Sequence, residues 1–199
     1  PLVASMLLQF SVGLADVYVA GRFRPEVQGA VGFASQLLFF FIVIANGLGV
    51  GLVAIVSRRQ GACELPAMWQ AARQGLLFSV LIAGPLTALG ILWVPESLLS
   101  AALPGAVVRV VTSLLPLYAA SLLPQSLLIV SNAIFRAQGL SRFVLLCTAL
   151  YAGLNLLGDF GLAFGLWGLP ELGPRGIAAA TALGALAGGT LALAILFGW

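Results

Sequence analysis

The sequence lacks histidine and lysine altogether, and its 9 basic residues are all arginine. With no imidazole to serve as a general base or metal ligand, and no HExxH, GxSxG or Walker loop, hydrolytic and nucleotide chemistry lose their usual residues. The serines have no evident activating partner, so the chain is not expected to be an enzyme. Cysteine is scarce too. Cys63 and Cys147 lie in different segments without a CxxC pattern, which indicates neither metal nor disulfide. No resident cofactor is expected. Charge is the third shortage: 8% of residues carry it, about a third of the share in soluble domains. A net charge of +3 made by scattered arginines suits loops near lipid headgroups, not a nucleic-acid surface.

What fills the chain instead is apolar. Hydrophobic residues make up 61%, and the mean hydropathy is +1.13, values of an integral membrane protein. A helix needs about 20 apolar residues to cross a bilayer, and that ruler predicts an all-α, polytopic bundle of six spans. They cover approximately residues 1–19, 28–56, 67–94, 105–135, 143–164 and 177–197. Polar links separate them: GRFRPE, SRRQGACELP, a linker with Pro95, Glu96 and Pro104, then RAQGLSR and GLWGLPELGPRG. Trp69 with Trp93, and Trp167 with Trp199, bracket spans three and six as interfacial belts would. Pro1 opens inside an apolar run without an initiator Met, no signal peptide is apparent, and Trp199 ends close to one. The chain is therefore expected to be a piece of a longer protein.

Links after spans two and four carry Arg58, Arg59, Arg73, Arg136 and Arg142; the others carry Arg22, Arg24, Arg109 and Arg175. That slight excess points to a cytoplasmic N-terminus. Gly47, Gly49 and Gly51, and Gly184 with Gly188, have the spacing that lets helices approach closely. Pro85, Pro116 and Pro124 are expected to kink their helices.

The chemistry concentrates in residues 151–161, YAGLNLLGDFG. Asn155 and Asp159 stand four apart, on one helix face, with Tyr151 a further turn back. A carboxylate within lipid costs about 3 kcal/mol on the most lenient scale, so such residues face a bundle interior and mark ion or substrate paths. Snorkelling from a helix end is the competing reading; the Leu and Phe on both sides of Asp159 speak against it. Asp16 is the second intramembrane acid and shares a face with Gln9 and Gly13. Its nearness to the GRFR link makes a helix-end carboxylate a serious alternative. Thr181 is a further hydroxyl that could join a polar cluster, although a lone helical Thr usually bonds its own backbone. Two carboxylates, an amide and a hydroxyl could bind a desolvated Na⁺ or carry a proton; the residues leave both open.

Several stretches together resemble the multidrug and toxic compound extrusion (MATE) family: LADVYVAGRFRPEVQGAVGFASQ, GLGVGLVAIVSRRQGA, FRAQGLSR, NLLGD and LGPRGIAAAT, in order along nearly the whole chain. The resemblance implies one six-helix lobe of a twelve-helix transporter, partnered by a C-terminal lobe absent here and embedded in the plasma (inner) membrane. It implies an antiporter exporting amphipathic, cationic organic compounds in exchange for Na⁺ or H⁺. It further implies that Asp16, Asn155, Asp159 and Thr181 form the cation or proton site, and that Pro1 lets the first helix bend. Gln9 and Tyr151 are candidates for lining the substrate path; Phe10, Tyr118 and Tyr151 could stack on a substrate, but packing is the plainer role for each. Phe160 and Val17 depart from the family's usual proline and threonine, and the loop between spans five and six is long. The Asp159 position looks more like the DinF-like branch. Relatives that flip lipid-linked sugars are the nearest alternative, yet they should line the cavity with several arginines. A non-transporting membrane scaffold is the alternative of another class and would need no intramembrane acids.

Overall fold

The computed structural model describes residues 1–93 and 96–198. The expected end of span three at Val94, Pro95 of the following linker and the Trp199 belt residue fall outside the described residues. The described residues form seven α-helices: α1 (Leu2–Ala20), α2 (Pro25–Gly61), α3 (Leu65–Leu92), α4 (Glu96–Ala102), α5 (Gly105–Ala137), α6 (Ser141–Phe164) and α7 (Pro174–Gly198). Among the described residues, six of them, all but α4, are long and apolar enough to cross a membrane. The protein is a multi-pass integral membrane protein.

Local chemistry explains where the helices run past the apolar segments. Pro25 takes the first position of α2, where its missing N–H is no loss, and Glu26 sits in the first turn. Arg58 and Arg59 extend the far end, where their charges complement the helix dipole. Helix α6 stops at Gly165, whose φ of 66° gives the left-handed cap that glycine adopts without strain. The loop beyond it contains a short 3-10 turn (Leu166–Gly168) and folds back, the Leu172 amide donating to the Leu162 carbonyl at 2.7 Å. Helix α5 continues through Pro116 and Pro124, and α3 through Pro85.

Helix α5 is the central post, packed against α2, α3 and α7 and also touching α4 and α6. Helix α1 leans chiefly on α6. Call the face bearing the α1–α2 link and the N-termini of α2, α5 and α7 the upper face. The core is split by depth. The upper part joins Val19, Val31, Val111, Leu114, Ala163 and Ile177; the lower part joins Val56, Met68, Ile134, Phe135, Val144 and Ala192. Buried hydrogen bonds tie the long helices across it: the Ser79 and Ser126 hydroxyls at 2.7 Å, and Asn132 Nδ2 donating to Thr148 Oγ1 at 3.4 Å.

Glycine makes the closest contacts. A Cβ on Gly184 would stand 2.8 Å from the Tyr151 carbonyl, and one on Gly188 would stand 3.1 Å from that of Cys147. Helix α7 can therefore lie this close to α6 only while Gly184 lacks a side chain, and Gly188 keeps the next turn tight. In α2 just one of the three spaced glycines works this way. Gly49 faces Ala133, while Gly47 and Gly51 have open space around them.

Candidate cation site and cavity

Asp16 lies four residues before the end of α1, yet its side chain is only 8% exposed. It does not snorkel. Its carboxyl turns toward α6 and lies beside Asp159 and Asn155. Asp159 and Asn155 are fully buried, one turn apart on α6. Asn155 Nδ2 donates to Thr181 Oγ1 on α7 at 3.1 Å, and Thr181 in turn donates to the Ile177 carbonyl at 3.1 Å. Four polar residues from three helices thus meet at one level, nearer the upper face.

Acceptors outnumber donors there. Among the described residues, no side-chain or backbone donor bonds Asp16 Oδ1, Asn155 Oδ1 or either Asp159 oxygen, all of them buried. Two facing carboxylates that have lost hydration repel one another, and a proton or cation between them removes the repulsion. An all-oxygen set is what a small hard cation takes; among the described residues no cluster of three or more His, Cys, Asp or Glu exists to hold a softer metal.

Next to the acids opens a cavity of about 430 Å³ between α1, α2 and α5, with Asp16, Tyr151 and Thr181 at its floor. Gln9 and Phe10 line it from the exposed side of α1. Tyr118 is buried and absent from that lining. Pro1 is not brought to this site: it is exposed at the start of α1, about 22 Å of helix before Asp16.

Polar residues of α5 contribute in a way the sequence reading did not foresee. Gln125 and Asn132 line the cavity, and Gln125 Nε2 donates to the Tyr151 hydroxyl at 3.5 Å. Seven residues separate Gln125 from Asn132, as seven separate Tyr118 from Gln125, so a polar stripe on one helix face was available as the signal. Arg136, in the last turn of α5 and so at a span end as expected, also lines the cavity, one turn past Asn132.

The family model for MatE matches residues 1–160. The chain belongs to the MATE family. A Synechocystis relative, a probable multidrug resistance protein NorM, is 28% identical over 188 residues, covering 91% of this chain and 39% of its own. Two solved MATE structures, one in the straight and one in the bent conformation, match with TM-scores of 0.87 and 0.85 at 26% identity. Each match covers 98% of this chain and 42% of the other. The chain thus spans about two fifths of the length of these MATE proteins, and its all-helical bundle corresponds to their N-terminal lobe.

Proposed function

We propose that this chain is the N-terminal lobe of a cation-coupled exporter of amphipathic, cationic organic compounds, working with a C-terminal lobe. In this reading Na⁺ or H⁺ enters from outside and binds between Asp16, Asn155, Asp159 and Thr181, as the transported counter-ion and not as a cofactor. The observation that carries it is the meeting of Asp16 with Asp159 and Asn155 across the α1–α6 contact, beside a cavity. An ion held there bonds α1 to α6 and α7 at once, so its presence changes how α1 rests on the bundle. Coupling requires that the ion's affinity differ between two states of the lobe.

Helix α1 is the part that moves, bending near Pro1 as site occupancy changes. Solved relatives in straight and bent conformations support that two such states are accessible to this architecture. Gln9 and Tyr151 line the path of the substrate, whose positive charge the Asp16 side of the cavity attracts. The whole transporter sits in the plasma membrane with a cytoplasmic N-terminus, and it belongs to the DinF-like branch. Without its second lobe the chain does not transport, because alternating access needs two halves to rock against each other.

Arg136 favours a second reading, a flippase for lipid-linked anions, since a guanidinium at the cavity recognises phosphate. One arginine opposite a carboxylate pair fits a diphosphate less well than the cation reading fits the acids. Efflux of a fluorescent lipophilic cation from cells making the intact parent separates the two. Wild type is compared with Asp16→Asn and Asp159→Asn under separately imposed Na⁺ and pH gradients. Gradient-driven efflux lost in both variants at equal expression supports the exporter, and the effective gradient names the ion. Efflux indifferent to both acids sinks the site and moves the flippase ahead.

A further inference from the structure

A cleft separate from the acid site opens on the upper face, with a volume of about 750 Å³. Arg24 from the α1–α2 link, Arg109 from α5 and Arg175 from α7 all line it, three cations brought together from distant parts of the sequence. Glu26 is the one acid among the lining residues, so the cleft carries an excess of two positive charges. Among the described residues none of the three guanidiniums makes an ion pair or a side-chain hydrogen bond. The neighbouring Arg22, by contrast, is engaged: it donates to the Tyr18 hydroxyl and lies 5.0 Å from that ring's centre.

Unpaired arginines converging on a concave surface call for an anion, because bringing like charges together without one is unfavourable and guanidinium presents paired donors to phosphate oxygens. The backbone adds to the field. Arg24 is the N-cap of α2 and Pro174 and Arg175 open α7, so positive ends of helices point the same way. Depth in the membrane narrows the ligand further. Trp93 and Trp167, both largely exposed, lie on the same upper face, at the level where indoles meet headgroups. Leu172 and Val110 give the cleft an apolar wall beside the charges.

We propose that Arg24, Arg109 and Arg175 form a phosphate-binding cleft, separate from the transport cavity, that takes the headgroup phosphate of an acidic phospholipid. A soluble phosphate offers the same oxygens, and the experiment separates the two sources. This inference does not rest on the exporter reading, since none of its residues touches the acid site.

The test titrates dioctanoyl phosphatidylglycerol, its phosphatidylcholine counterpart and inorganic phosphate onto the full-length transporter in neutral detergent, with bound adducts counted by native mass spectrometry. Wild type is compared with Arg24→Gln/Arg109→Gln/Arg175→Gln and with the lower-face control Arg58→Gln/Arg59→Gln/Arg142→Gln. The upper-face triple should weaken phosphatidylglycerol binding about tenfold or more, and the control about twofold at most. Arginine-dependent binding of inorganic phosphate as tight as that of the lipid would keep the cleft but replace the lipid with a soluble anion. Wild-type binding of phosphatidylglycerol and inorganic phosphate by the upper-face triple would overturn the proposal. The three side chains are exposed, so the variant should keep its melting temperature; if it does not, Arg109→Gln alone should give about a threefold loss, and no loss there also overturns the proposal.

Discussion

Helix α7 meets α6 through Gly184 and Gly188, backbone nearly on backbone, whereas α1 leans on the same α6 with Val3, Met6, Leu7 and Phe10 facing outward. Both contribute to the polar layer, Thr181 from the tight seam and Asp16 from the loose one. On the exporter reading proposed above, a push or pull between Asp16 and Asp159 would be resisted on the α6–α7 side and yield on the α1 side. Aromatic rings refine the picture: Phe23 stacks on Phe164 at 5.4 Å and Tyr18 approaches Phe160 at 6.4 Å. These add ring contacts at the last turns of α1, while its earlier turns rest on the lower core through Leu8 and Val12.

The comparison breaks most directly at Gly184. Gly184→Leu drives a side chain into the Tyr151 carbonyl and should destabilise the detergent-solubilised protein by about 3 kcal/mol or more, read from its thermal unfolding. Phe160→Ala should cost about 1–2 kcal/mol and act locally. Hydrogen exchange should then speed up in α1 while α7 stays protected; equal loosening of both would contradict the assignment of α1 as the weaker seam. Ser79→Ala strands the Ser126 hydroxyl and should cost about 1 kcal/mol, with the Ser79→Ala/Ser126→Ala double change nearer to neutral. The smallest effect should have the opposite sign. Gly13→Ala in α1 meets nothing within 4 Å and should gain about 0.5–1 kcal/mol from helix propensity, raising the melting temperature slightly.

How much of this was legible beforehand follows from contrast. Asp16, Asn155 and Asp159 stand out because each is a lone polar group in an apolar run, and the energetics of lipid make such residues conspicuous. The spans were legible for the same reason. Their ends were less so, since apolarity marks the bilayer and not the helix: α2 takes in Pro25 and Glu26 at one end and Ser57 to Gly61 at the other. Helix α4 is too short to leave a periodic trace. Gln125 and Asn132 were missed because each sits among serines and looks ordinary; their shared face emerges only when α5 is read as one continuous helix. Which of Gly47, Gly49 and Gly51 touches a neighbour depends on rotation about α2, a property of the packed bundle.

The length of α2 has a mechanical consequence. Its 37 residues make a rod of about 56 Å against a hydrocarbon layer of about 30 Å, so its lower end stands well clear of the lipid. A tilt of about 10° around the middle of such a rod would swing that end by about 5 Å. A tilt too slight to resolve near the middle of α2 is thus magnified where Arg58 and Arg59 project. Cys63, an exposed thiol just beyond that end, is the natural attachment point for a spin label or fluorophore that reads the lever's position.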